Sequence, residues 1–465
     1  MLMLMLSVQL FANQTSTLSP IHPEKNLPFR ITIVATDVTI PDGIQGGAAG
    51  HHDGKWLFLA GRTNGLHGFD NNTNNFPIQE QNRLVYVVDM KRKKVTMRSL
   101  TSSASGLNQA QIDSLSVTAP QSYQKDKVLY MTGGYGIDTQ SNTFTTKDIL
   151  TAIDIPDMID WVERKTHKKA VHFIRQIANP IFQITGGYMN QFGNHPTLLV
   201  FGQTFTGTYI VPPHTQVYSE QVRRFRIYDN GKRLKVKVIS STPKIPDPNF
   251  RRRDLNVIPV IQKKKGKFVN GLVALSGVFT PEPDNSIWTV PVEISANGKK
   301  VIMPNPNLAS TFKQGMNNYF SATVELFSKK EEEMYSVLLG GITYQYFQNG
   351  ALISDSELPF TNQVTTIKLY KNNKYKQYIM DAQYPTILST TTNPGNTLLF
   401  GANARFIPVE GIKKFSNKVI KLDALKKKQV IGYIVGGIAS TVPNTSTIAD
   451  SIASPYIFEV ILEKE

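Results

Sequence analysis

Two groups of side chains have the types and spacing to do chemistry. His51, His52, Arg62 and His67 lie within one short stretch, and imidazoles so grouped can hold a metal ion or exchange protons. Arg251, Arg252 and Arg253 run directly into Asp254, and an arginine fork can clasp a carboxylate or phosphate or tie itself to a neighbouring acid. Around them stand Tyr135, Tyr188, Gln203, Tyr209 and Tyr344, each next to or soon after a glycine-rich turn, where a ring can stack on a ligand or pack within the protein. The chain has no Gly-x-Ser-x-Gly nucleophile turn and no paired histidines with an acidic partner. Neither a catalytic residue, nor a metal, nor a cofactor is therefore expected.

The elements that position these residues repeat. At 128–133 an apolar run ends in Gly133 and Gly134, a polar loop follows, and a β-rich run at 149–155 comes next. The same order recurs at 56–61 then 83–89, 197–202 then 221–229, 272–277 then 287–294, 335–341 then 363–370, and 433–437 then 456–462. Repeats of this period predict an all-β propeller of six four-stranded blades. The runs 399–402 and 418–423 also look like strands and leave seven blades as the alternative. Inner strands are expected at 45–50, 115–123, 181–188, 255–261, 320–327 and 397–406, and one short helix over 156–168. The alternating stretch 29–36 precedes the first repeat while the last repeat lacks an outer strand. Pairing the two would close the ring and remove an open sheet edge.

The apolar run 1–12 reads as an export signal peptide, although it has no basic leading residues. Residues 13–28 follow as an N-terminal extension and 29–465 as a single propeller. Absence of cysteine excludes disulfides, thiolate chemistry and cysteine metal sites. No run approaches the ~20 apolar residues needed to span a bilayer.

Alternating strand directions divide the connections between two faces. Basic residues at 91–94, 125, 127, 232–233, 263–267, 299–300, 329–330, 371–376 and 426–428 all fall in the short turns of one face and account for much of the net charge of +16. Such a face suits an anionic surface, or simply carries solvated charge that blocks aggregation. Nucleic acid is not expected, because no aromatic residues are interleaved with the lysines. The long loops of the other face, 62–82, 135–146, 204–220, 278–285, 342–362 and 438–454, hold a single Lys or Arg, Arg62, and are rich in Asn, Gln, Thr, Tyr and Phe. Loops of that length on a rigid scaffold are where binding residues concentrate. A glycan or an envelope protein is the expected partner there. His51 and His52 fall on the lysine side and Arg62 and His67 on the loop side, so the four are not expected to form one centre.

The double-glycine strand endings, followed by Tyr86-Val-Val-Asp89 and Arg226-Ile-Tyr-Asp229, resemble kelch-repeat propellers over nearly all of the chain after Pro28. The outer-strand tryptophan of many kelch repeats is mostly missing, as at Met97. The segments 61–68, 131–136, 252–254 and 433–437 are similar to a group of exported bacterial kelch-like proteins. That resemblance implies a periplasmic, cell-surface or secreted location and no particular reaction. Among kelch enzymes, galactose oxidase needs a cysteine that this chain lacks. The periplasmic sialic acid mutarotase is an exported six-bladed ring, and likeness to it implies anomer interconversion of an acidic sugar, with Arg62, Arg252 or Arg253 as carboxylate clamp. A non-enzymatic binding protein is the leading expectation.

Overall fold

The computed structural model describes residues 18–282 and 286–465. The expected signal peptide at 1–12 lies outside the described residues, as does the tip of the 278–285 loop. The chain is all-β and is built of repeated four-stranded antiparallel sheets, an arrangement that fits a propeller.

Sheet 1 consists of Ala48–His52, Lys55–Leu59, Leu84–Asp89 and Lys94–Ser99; sheet 2 of Gln121–Lys125, Val128–Thr132, Ile149–Asp154 and Ile174–Ala178. Sheet 3 follows with Tyr188–Asn190, Thr197–Val200, Val222–Asp229 and Leu234–Val238, and sheet 4 with Val257–Lys264, Lys267–Ala274, Val292–Ser295 and Val301–Ile302. The core of sheet 5 is Ala322–Ser328, Glu333–Ile342, Phe360–Leu369 and Tyr375–Gln383. Sheet 6 joins Arg405–Pro408, Lys428–Val435 and Tyr456–Lys464 to the early strand Phe29–Thr39.

Central strands such as Leu84–Asp89 are apolar on both faces because both faces are covered. Val85 and Val87 pack with Leu129, Met131 and Ile153 of sheet 2, while Tyr86 and Val88 pack with Val435 and Ile457 of sheet 6. Equivalent clusters join sheet 2 to 3 through Leu150 and Leu199, 3 to 4 through Val200 and Leu272, 4 to 5 through Val273 and Leu338, and 5 to 6 through Val337 and Ile431. Each sheet thus shares one apolar layer with the sheet before it and another with the sheet after.

In Phe29–Thr39 the residues Phe29, Ile31 and Ile33 face inward and Arg30, Thr32 and Val34 outward. The strand runs antiparallel to the C-terminal strand, with Ile31 opposite Leu462 and Ile33 opposite Val460. Part of the 13–28 extension is ordered against the body, where Ile21–Pro23 adds a parallel strand to Tyr375–Gln383.

Several boundaries depart from those expected. The stretch 115–123 is the end of a helix, Gln109–Leu115, followed by a turn and a shorter strand. The Asn108 side chain accepts from the Gln111 backbone N–H, and the Gln111 side chain accepts in return from the Asn108 N–H. The helix expected over 156–168 is Ile155–Val162 and ends before the basic residues at 167–169. The strand-like run 418–423 joins sheet 5, with Ile420–Lys421 parallel to Leu326 and Phe327. Leu399, in the other strand-like run, bridges to Ser440. The long loops are themselves folded: Tyr135–Asp138, Thr143–Thr146, Gln203–Thr206 and Thr215–Tyr218 form a further sheet, and two more hairpins lie at Gln345–Gln348 with Ala351–Ser354 and at Ile438–Ser440 with Ser451–Ala453. Their aromatic residues bury one another, which gives these loops a core of their own.

Candidate functional site

The six inner strands are entered through one recurring turn. Gly46, Ala119, Gly186, Asp254, Phe320 and Asn403 all have left-handed backbone, with φ of 61°, 48°, 66°, 50°, 58° and 58°. The residue before each meets the residue that follows the glycine ending the second strand. Gln45 bridges Arg62, Thr118 bridges Tyr135, Thr185 bridges Gln203, Arg253 bridges Val278 and Tyr319 bridges Ile342. In sheet 6 the Ile438 N–H donates to the Ala402 carbonyl at 2.8 Å. The crossing is close enough to require glycine: Gly202 has φ of 83°, and a Cβ there would lie 2.7 Å from the Thr185 carbonyl oxygen.

These turns surround a cavity of about 430 Å³, lined by side chains from all six sheets and opening between the long loops. At the opposite end, the connection between Pro408 and Lys428 reaches sheet 4, where Asn417 Nδ2 donates to the Val260 carbonyl at 3.3 Å. It also pairs with sheet 5 through Ile420–Lys421. This segment lies across the lysine side of the space between the inner strands.

One wall of the cavity is aromatic. His67 lies 4.5 Å from the Tyr209 ring, 5.2 Å from Phe76 and 4.8 Å from Phe69. Tyr135 packs on Phe76 and Phe205, and its hydroxyl donates to the Gly207 carbonyl at 2.7 Å. The facing wall is aliphatic and aromatic, with Val278, Phe279, Ile342, Leu358, Phe360 and Ile438. Polar groups lie at the entries to the inner strands: Gln45, Thr118, Thr185, Gln203, Asn403 and the Arg253–Asp254 pair.

Arg253 donates from Nε to the Tyr218 hydroxyl at 3.2 Å, from Nη2 to the Tyr209 hydroxyl at 3.1 Å and from Nη1 to Asp254 Oδ2 at 3.0 Å. Burial pushes the Asp254 carboxyl up from its ordinary range, and Arg253 opposes that shift. His67 is lowered to about 4, chiefly by burial, with its contact to the Gly68 carbonyl acting the other way and Arg253 and Arg62 adding to the lowering. The imidazole is therefore neutral at physiological pH. Burial likewise raises the phenols of Tyr135 and Tyr319, which stay protonated as hydrogen-bond donors.

Of the residues singled out by sequence, His67, Tyr135, Gln203, Tyr209, Arg253 and Asp254 meet at this cavity. Arg62 lies behind the aromatic wall, donating from Nε to Asn64 Oδ1 at 2.8 Å and from Nη2 to the Pro77 carbonyl at 3.0 Å, with its guanidinium 4.9 Å from the Phe76 ring. Arg252 is fully buried, stacked 4.3 Å from the Trp288 ring and donating to the Val290 carbonyl. Successive side chains of extended backbone point to opposite sides, so Arg253 faces the cavity and Arg252 does not. Tyr188 sits deeper, on the inner strand of sheet 3, where Glu325 and Arg405 bear on its ionisation. Tyr344 lies outside the cavity lining, its backbone N–H held by Asn317 Oδ1. His51 contacts Gln124, well away from His67, so the four-residue cluster is not assembled.

Sequence reasoning missed Phe76, Phe205, Phe279, Tyr319, Phe320 and Asn403. A signal for three of them was present: Tyr319-Phe320 and Ala402-Asn403 occupy the same place before their inner strands as Arg253-Asp254.

No protein-family model matches the chain, and no curated protein matches it. Among solved structures the chain is similar to one titled "Structure of YjhT", with a TM-score of 0.46 and 10% identity over 89% of this chain and 94% of that one. Functional inference rests on the cavity itself.

Proposed function

We propose that this chain is an exported, non-enzymatic binding protein, a six-bladed kelch-like β-propeller spanning 29–465 that holds a glycan or protein partner through its long-loop face. The blade count is supported by six apolar layers, each shared by two neighbouring sheets, the last joining sheet 6 to sheet 1. Closure of the ring is supported by the pairing of Phe29–Thr39 with Tyr456–Lys464. Residues 1–12 would be removed as a signal peptide, leaving the protein periplasmic, surface-bound or secreted. Among the described residues no helix is long and apolar enough to cross a membrane. The lysine-rich face would lie toward an anionic surface while the loop face meets the ligand.

The cavity carries this reading. Six repeats contribute to one space of about 430 Å³ with apolar walls and a few convergent polar groups, the common form of a small-ligand or side-chain pocket. Anomer interconversion of an acidic sugar is less well supported, since Arg62 and Arg252 turn away from the cavity and Arg253 is engaged with Asp254. The test is to narrow the mouth without touching the core. Ser356 and Thr445 line the rim, and Ser356→Trp combined with Thr445→Trp should abolish recovery of a bound glycan or protein from cell envelope extract while leaving the unfolding temperature unchanged. Undiminished recovery would remove the cavity from the binding reaction.

A further inference from the structure

The charges at the cavity determine which ligands it admits; this inference rests on the cavity being the binding site. Arg253 and Asp254 are 3.0 Å apart, with side chains only 11% and 19% exposed. The other two donor nitrogens of Arg253 go to tyrosine hydroxyls, and its guanidinium lies 5.1 Å from the Phe279 ring. Among the described residues no second cation pairs with Asp254 and no second carboxylate pairs with Arg253. Among the described residues Glu357 is the other acidic group of the lining and is exposed at the rim, and His67 between its aromatic neighbours carries no charge. The described residues of the inner wall therefore carry no net charge.

A carboxylate entering this space would leave its hydration shell and compete for a guanidinium that already has a carboxylate beside it. Like charges held that close in a poorly solvated site repel strongly. An uncharged ring faces no such cost and can lie between the His67–Phe76–Tyr209 wall and the Val278–Ile342–Phe360 wall, with the remaining N–H groups of Arg253 and the Tyr319 hydroxyl in reach of a neutral polar substituent. We propose that Asp254 sets the specificity of the cavity: by cancelling the charge of Arg253 it makes the site select an uncharged ring-bearing ligand and reject the corresponding acid.

Two pairs of probes, each alike in shape and differing by one charge, test this: phenylacetamide with phenylacetate, and methyl glucoside with methyl glucuronide. Binding to the full-length protein is read by saturation-transfer NMR. In the wild type the neutral member of at least one pair should bind about tenfold more tightly than its acid, and the pair that binds identifies the ring as aromatic or sugar. Asp254→Asn keeps the shape of the side chain, and asparagine tolerates the φ of 50° at this position. With Arg253 no longer compensated, the ranking within that pair should invert, the acid now binding more tightly. The proposal is overturned if neither neutral probe binds, if the wild type prefers the acids, or if Asp254→Asn leaves the ranking unchanged. Preference for the acids, together with loss of envelope capture in the Ser356→Trp, Thr445→Trp variant, would overturn the role of Asp254 alone and leave the binding face in place.

Discussion

Glu325 is an acid in an unusual place, and its replacement by glutamine has an effect that can be worked out. It lies on the inner strand of sheet 5, with a hydrogen bond from the Thr323 hydroxyl, and it bears on the ionisation of Tyr188 across the space between the inner strands. Burial raises its pKa from the ordinary 4.5 to about 7, against smaller opposing effects of Thr323 and its own backbone N–H. An acid whose pKa is raised on folding binds its proton more tightly in the native state. Stability is then greatest below about pH 4.5 and falls as pH rises through about 7. A change of that size corresponds to roughly 3 kcal/mol. The side chain is partly reached by solvent, which reduces the effect to about 1–2 kcal/mol. Glu325→Gln keeps the hydrogen bond and removes the ionisation. With an unfolding entropy near 2 cal/mol/K per residue, a chain of 465 residues shifts by about 1 °C per kcal/mol. The variant should therefore melt about 1–2 °C higher than wild type near pH 8 and level with it near pH 4.5 in differential scanning calorimetry. A variant that melts at or below the wild type at pH 8 would show that Glu325 is solvated or paired, and the burial argument would fail.

Arg175 joins sheet 2 to sheet 3 by donating to Asp154 at 2.7 Å and Asp229 at 2.8 Å, and the Asp229 side chain is only 4% exposed. Arg175→Met should lower stability by about 3–5 kcal/mol, because it strands a buried carboxylate. A change below about 1 kcal/mol in denaturant titration would show that Asp229 finds another partner. Phe29, fully buried and edge-on to Tyr335 at 5.3 Å, anchors the early strand. Phe29→Ala should cost about 3–5 kcal/mol, and limited proteolysis should then cut near the strand's start before the rest of the chain. Uniform protection would place the weak point elsewhere.

Much of the fold was legible because local pattern and burial agree. Glycine pairs mark the ends of the second strands because those residues adopt left-handed backbone, as at Gly340 and Gly341 with φ of 67° and 105°. Runs such as Leu84–Asp89 are apolar throughout because neighbouring sheets cover both faces. The site was less legible. Tyr135, Gln203 and Tyr209 could be named from their nearness to glycine turns, His67 from the histidine group and Arg253 and Asp254 from the arginine run, but Arg62 and Arg252 belong to the same two groups and are buried among backbone carbonyls and aromatic rings instead.

By itself, then, the sequence determined the repeat, the β-rich alternation and the separation of lysines from long neutral loops, because each depends on residues close together along the chain. Tertiary structure alone decided which side chains meet. His67 and Tyr209, far apart in sequence, touch at 4.5 Å because loops following the second strands of sheets 1 and 3 fold over the same cavity. Arg253 reaches Tyr209 and Tyr218 while its neighbour Arg252 reaches Trp288, because a single step of extended backbone reverses direction. The charge of the cavity likewise depends on a 3.0 Å contact between adjacent residues in a left-handed turn, a geometry that spacing along the chain does not encode.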